Sequence, residues 1–299
     1  MNRRAGHGGG CISGYTAAMP LRSRRAVLSA IATLAVTGCA ADGGRWATHA
    51  PASSVIVDHR AWQLFLDRHT FVDAYGVTRV AYAAVPAADR ELLDEYVAGL
   101  ERVPVGELNR SEQLAYWLNL HNALMLRVVL GGLIARSPDE IDLGGGFARG
   151  PWRATLARVA GAPVSLDGIR ASALRPVFKD PRWHYGLCDA TLGGPALPRA
   201  AFEGDDVDRA LEDAAIAYVN HPRAVRVEAE GLRLNAFWRR NLADFGGSEA
   251  AVLSHLASYA DRELRVELRP GRPVAWMDDR RLNEWPGPFV APLSRGTSG

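Results

Sequence analysis

The sequence predicts an α+β fold: a single domain in which a buried central helix packs on a small, mostly antiparallel sheet. Three observations lead there. Amphipathic helical repeats and short strand-like runs follow one another without the regular strand–helix alternation of a parallel sheet. One long segment, Ser111 to Leu130, is apolar on nearly every side, as a central helix must be. No internal repeat is present, which sets solenoids aside.

The elements follow in chain order. Ala61 to His69 carries Trp62, Phe65 and Leu66 at helical spacing, and Thr78 to Tyr82 reads as a short strand. Pro86 to Val103 begins with proline in a first-turn position and repeats Leu92, Leu93, Tyr96, Val97 and Leu100, an amphipathic helix. Ser111 to Leu130 gives the longest helical signal, and Gly131-Gly132 stops it. Ser165 caps a short helix that runs to Arg175 and is ended by Pro176. Trp183, Tyr185 and Leu187 alternate with His184, Gly186 and Cys188, the period of a strand. Asp205 to Asn220 is a further amphipathic helix, and Ala224–Glu228 and Leu232–Asn235 flank Ala229-Glu230-Gly231 as a hairpin. Ser248 to Ala260 is helical, and Val274 to Met277 predicts a last strand.

On the central helix, at about 100° per residue, Leu114, Trp117, Leu118, Leu124, Met125 and Val128 share one broad arc with His121 near its centre. Asn119 falls within about 20° of Glu112, on a second stripe with Ala115, Ala123 and Leu126. Buried amides need partners, so Asn119 and Asn122 either bond neighbouring backbone or face a pocket.

The N-terminus concerns location. Arg22, Arg24 and Arg25 precede an apolar run from Ala26 to Val36 that is too short to span a bilayer, and Val36-Thr37-Gly38-Cys39 reads as a lipobox ending in a thiol to be acylated. Residues 1–18 read as an upstream extension, so residues 1–38 comprise extension and signal peptide, Cys39 is the lipidation site, and residues 39–54 form a tether. The domain proper spans 55–290, with a disordered tail at 291–299. Ser23-Arg24-Arg25 leaves both the general and the twin-arginine export routes open. This pattern predicts a bacterial envelope protein, anchored by lipid on the periplasmic side.

The whole chain of 299 residues carries a formal charge of +2, but the first 38 residues hold five arginines and no acid. Without them, 30 basic residues face 33 acidic ones, a balance of −3 (30 − 33). That balance offers no electrostatic case for nucleic acid. Cysteines occur at 11, 39 and 188 only, so a mature chain with Cys39 acylated keeps one thiol and no internal disulfide. Gly144-Gly145-Gly146 lacks a following lysine–serine pair, so it is a loop and not a phosphate cradle. No serine elbow and no histidine or cysteine spacing for a metal is present, and no cofactor is expected.

Tyr116-Trp117-Leu118-Asn119-Leu120-His121-Asn122-Ala123 resembles the recurring run of the domain of unknown function 547 family, with His121 in its usual tyrosine place. Pro151-Trp152, Ser165-Leu166-Asp167, Leu174-Arg175-Pro176 and Asp180-Pro181-Arg182-Trp183-His184-Tyr185-Gly186-Leu187 follow in the family's order. So do Ala217 to Arg223, Asp244-Phe245-Gly246, Asp279 and Leu282-Asn283, and the resemblance covers about residues 55–285. It implies a papain- or transglutaminase-like site built from a histidine and a cysteine. Here the histidine place is Ala171, the cysteine place is Asp189, and a later cysteine place is Gly194. A thiolate nucleophile needs a base and an oxyanion donor, which alanine and aspartate do not supply.

Cys188 is one residue from the cysteine place, but on a strand that slip sends its sulfur to the opposite face. His184 shares its face at about 13 Å, too far for a nucleophile–base pair. Asp189 either caps the Thr191–Pro195 turn or binds a ligand amine or cation. The candidate pocket comprises Glu112, Asn119, Asn122, Ala171, His184, Asp189 and Asn283. Three functions remain open: an envelope scaffold that binds a small molecule or peptide, an active hydrolase with Asp189 or Glu112 as acid or base, and a purely structural component.

Overall fold

The computed structural model describes residues 44–132, 135–143 and 150–287, and these form an α+β fold. The signal peptide at 1–38, Cys39, the Gly144-Gly145-Gly146 loop and the tail at 291–299 lie outside the described residues.

Helix α1 (Arg60–His69) leads into the hairpin β1 (Thr70–Val72) and β2 (Thr78–Val80), and α2 (Ala87–Glu101) follows with Pro86 at its N-cap. The central helix α3 spans Arg110–Gly131 and is capped by the Asn109 side chain, which accepts the Glu112 N–H at 2.9 Å. It is buried from Glu112 to Leu130 except at Leu114 and Arg127. Although it is 22 residues long, its polar side chains keep it from being a membrane span: among the described residues no helix is long and apolar enough to cross a bilayer.

A second hairpin, β3 (Ala157–Val159) and β4 (Ala162–Val164), precedes a composite helix: α4 (Leu166–Gly168), a π-helical stretch Ile169–Leu174, and α5 (Arg175–Val177). Ser165 caps it as expected, but Pro176 sits inside the last turn, where Arg175 to Val177 begin a fresh hydrogen-bonding register. The chain then passes through a 3-10 helix at Pro181–Gly186 to α6 (Val207–Val219). Strands β5 (Val225–Glu228) and β6 (Gly231–Asn235) form the expected hairpin, followed by α7 (Ala236–Arg240), α8 (Glu249–Tyr259) and α9 (Arg262–Glu267). Strand β7 (Val274–Met277) closes a three-stranded sheet by pairing in parallel with β6.

The run from Trp183 to Cys188 is not a strand. Asp180 accepts the Arg182 N–H, Pro181 takes a first-turn position, and the residues that follow wind into the 3-10 helix. Trp183, His184, Tyr185 and Gly186 are all buried, so the apparent alternation of types never became an alternation of faces.

Two apolar clusters result. One surrounds α3, which packs on α2, α4, α6 and the π-helical stretch; the other lies under the three-stranded sheet with Tyr218, Phe237 and Trp238 at its centre. The 3-10 segment runs along their seam, with Trp183 and Leu187 in the first cluster and Tyr185 in the second. Residues 44–54, expected to be a spacer, lie against the first cluster. Trp46 meets the Trp117 ring edge-on at 5.0 Å, and the Gln113 amide donates to Thr48 O.

Candidate functional site

The asparagines of α3 hold an irregular segment in place. Asn119 makes both of its bonds to Phe202: its amide donates to the carbonyl at 2.8 Å, and its carbonyl accepts the Phe202 N–H at 3.0 Å. Asn122 does the same one turn on, donating to Gly186 O and accepting from Cys188 N–H, each at 2.9 Å. Both amides are engaged by backbone on their donor and acceptor sides, and neither lines a cavity described below. The segment they pin, residues 186–202, has no regular hydrogen bonds of its own and depends on such staples. The C-terminal strap completes it: Asn283 N–H donates to Ala190 O, Leu192 N–H donates to Arg281 O, and Gly193 N–H donates to Asp279 O. A side chain at Gly193 would run into Asn235 and the Asp279 backbone, so only glycine permits that approach.

Within this segment Asp189 is occupied from inside the protein. Asp189 pairs with Arg170, the residue beside Ala171, and the two side chains are only 17% and 19% exposed. Burial alone would raise the Asp189 carboxyl, but the positive charges of Arg170 and Arg280 hold it below its usual value. Asp189 does not cap the following turn; the Thr191 hydroxyl does, accepting the Gly194 N–H at 3.2 Å. Ala171 is exposed on the π-helical stretch. Trp152 lies between the guanidinium groups of Arg170 and Arg280, 5.8 and 5.7 Å from them, and donates to Asp139, which Arg280 grips through two bonds of 2.8 Å.

Cys188 is fully buried. Its sulfur accepts the Ala190 N–H at 3.3 Å and lies 3.7 Å from the Asn283 amide, whose oxygen takes the Tyr82 hydroxyl proton at 2.8 Å. Burial pushes the thiol up to about 12, so it stays protonated at neutral pH. Ala190 holds a left-handed φ of 55°, a strained turn that fits the close approach of its N–H to the sulfur. Strand alternation therefore does not decide the direction of this thiol; the turn after it does.

His184 is engaged elsewhere. Its Nε2 bonds Asp244 at 2.8 Å, and Arg175 clamps the same carboxylate through Nε and Nη2. Burial lowers the His184 pKa, so this dyad joins α7's neighbourhood to the 3-10 helix and does not serve the thiol. His121, at 0% exposure, has Asn122 as its one hydrogen-bond partner among the described residues, and burial with the Arg170 charge pushes it down to about 3. Glu112 accepts the Val57 N–H at 2.7 Å and lines an acidic cavity of about 740 Å³ with Glu203 and Asp205. The seven expected pocket residues thus fall into separate environments, with only Asn122 and Asn283 joined to the turn around Cys188 and Asp189. Among the described residues no group of three His, Cys, Asp or Glu side chains is placed to hold a metal ion.

An open cavity does exist at the seam of the two clusters. It measures about 400 Å³ and lies between the Pro195–Phe202 segment and α6, with Tyr185 and Tyr218 lining it and His221 and Arg223 also on its wall. Tyr218 donates to Gly193 O at 2.7 Å, tying the cavity to the pinned segment. Sequence reasoning noted Ala217 to Arg223 without seeing this cavity, because its opposite wall is irregular and carries no periodic signal.

The fold and the site define an α+β domain in which the turn at Cys188–Ala190 is closed and an open cavity lies beside it. Residues 105–219, from just before α3 to the end of α6, match the family model described as Protein of unknown function, DUF547. No curated protein and no solved structure matches the chain.

Proposed function

We propose that the protein is a lipid-anchored scaffold of the bacterial cell envelope, in which a hydrolase-like domain without the Cys/His pair binds a small molecule or peptide. The observation that carries this reading is the closure of the turn at Cys188–Ala190. Its thiol is held protonated, its neighbouring carboxylate is neutralised by Arg170, and each nearby imidazole has a different partner. Asp189 as general acid would require a raised pKa, and the charges around it act in the opposite direction. The anchoring half of the reading rests on Arg22 to Cys39.

Two measurements test it. Iodoacetamide at pH 8 is expected to leave Cys188 unlabelled in the folded chain and to label it after unfolding. Generic ester, amide and peptide substrates are expected to remain intact. Turnover that Cys188→Ala or Asp189→Asn abolishes would establish an enzyme instead. Metabolic labelling with palmitate, lost in Cys39→Ala, checks the anchor.

A further inference from the structure

Several arginines of this protein close on carboxylates. Arg170 meets Asp189, Arg79 meets Asp73, Arg175 meets Asp244, and Arg182 meets Asp180, Asp208 and Glu212. Arg223 has no such partner. Its guanidinium lies 5.3 Å from the Tyr218 ring, its Nε–H is shut off from solvent with no acceptor, and no carboxylate pairs with it among the described residues. Asp73 is near enough to act on its charge but is already taken by Arg79 and by the N–H groups of Tyr75 and Val77. An uncompensated, part-buried cation costs stability unless something else completes it. Arg223 lines the seam cavity, so an occupant of that cavity is in place to do so.

The cavity also sets the rest of the ligand. Pro195, Leu197, Ala210, Ala214 and Ala217 give it apolar walls, and about 400 Å³ is at the small end of ligand sites. Of the other arginines that line it, Arg209 on α6 is engaged by Asp206 at 2.7 Å, with Asp213 on the same rim, and Arg199 is exposed on the opposite wall. Counted together, Arg199, Arg209 and Arg223 face Asp206 and Asp213 across the lining, a net +1 (3 − 2), which suits a single negative charge better than a phosphate dianion. We propose that the cavity between residues 195–202 and α6 binds a small amphipathic monocarboxylate, with Arg223 as its counter-ion and the alanine face of α6 against its apolar body. This names the ligand class of the scaffold reading above and rests on it.

Titration calorimetry on the full chain tests it with four probes: 4-phenylbutanoate, 4-phenylbutanamide, N-acetyl-leucyl-alanine and its C-terminal amide. Each acid is expected to bind at least tenfold more tightly than its amide. The stronger of the two acids identifies the source, a free acid or a peptide C-terminus. Arg223→Met is expected to bring the acid down to the affinity of its amide, with a Tm no lower than that of the unaltered chain. Ala217→Trp, on the exposed rim, is expected to block both, and it keeps the test decisive should the methionine variant fold poorly. Equal binding of acid and amide, an acid preference that survives Arg223→Met, or no binding of any probe overturns the proposal. Those outcomes leave the scaffold reading standing, whereas hydrolytic turnover overturns that reading by itself.

Discussion

Arg170 and Arg223 both act on the charge of the same buried thiol, and they differ in how the protein completes them. Arg170 closes on Asp189 inside the fold, next to a turn in which every staple has found its acceptor. Arg223 lines a cavity with no carboxylate of its own among the described residues; each guanidinium keeps a buried Nε–H without an acceptor, so the difference lies in the counter-ion. A charge closed inside the fold finds its counter-ion there, and a charge kept for a ligand leaves the counter-ion to the ligand. The Arg170–Asp189 pair is of the first kind, and the seam cavity beside it is of the second.

The largest effect that could break this contrast comes from the closed side. Asp189→Ala leaves the guanidinium of Arg170 part-buried without its partner, and such losses cost about 3–5 kcal/mol. Urea unfolding measures it, and Arg170→Met with Asp189→Ala together is expected to cost less than the sum of the two. A change under about 0.5 kcal/mol, the scale of ordinary surface substitutions, would mean that the pair is not sealed at all. Arg223→Met, on the open side, is expected to show no such loss, because no partner is stranded.

The staples come next. Asn122→Ala strands Gly186 O and Cys188 N–H in the core, at about 1–3 kcal/mol each. Hydrogen exchange is expected to speed up at Cys188 and its neighbours while α8 keeps its protection. A uniform rise across the chain would instead show that Asn122 supports the whole fold and not the turn.

How much of this could be read from the chain depends on the range of each interaction. Ser165, Ser248 and Asp261 cap helices within three residues of themselves, and the β5–β6 hairpin closes over a two-residue turn. Caps and turns of that kind are local, and for Ser165 and the hairpin the sequence was enough. The strand Val274–Met277 was legible as a strand, but its parallel pairing with β6 was not, because the partner lies some forty residues earlier. The 181–186 segment was misread because buried aromatics imitate a strand, while the decisive signal was the Asp180-Pro181 helix start. In the site, Asp189 was visible as an unusual residue, yet its partner Arg170 is nineteen positions away. The missing partner of Arg223 is harder still, since an absence is defined only once every neighbour has a place.

The smallest effect separates the two regions by pH. His121 sits behind the closed turn with its ordinary pKa of 6.5 pushed down to about 3 by burial and by Arg170. The unfolded chain takes up a proton there as the pH falls through 6.5, and the folded chain does not until about 3. Stability that is whole above pH 6.5 is therefore lost progressively towards pH 3, by at most about 1.4 kcal/mol per pH unit for this one group. His59 and His255, both pushed down to about 4 by burial, act in the same direction, so the full chain has a steeper slope than His121 alone gives. His121→Phe is expected to flatten the urea-midpoint profile between pH 6.5 and 4 by that one-proton share. Because His121 belongs to the sealed side, the acid-over-amide preference of the seam cavity should stay as it was. A variant that kept the wild-type slope would mean that the imidazole is already protonated in the fold, and a closed turn holding a cation behind Arg170 and Asp189 could no longer be called satisfied.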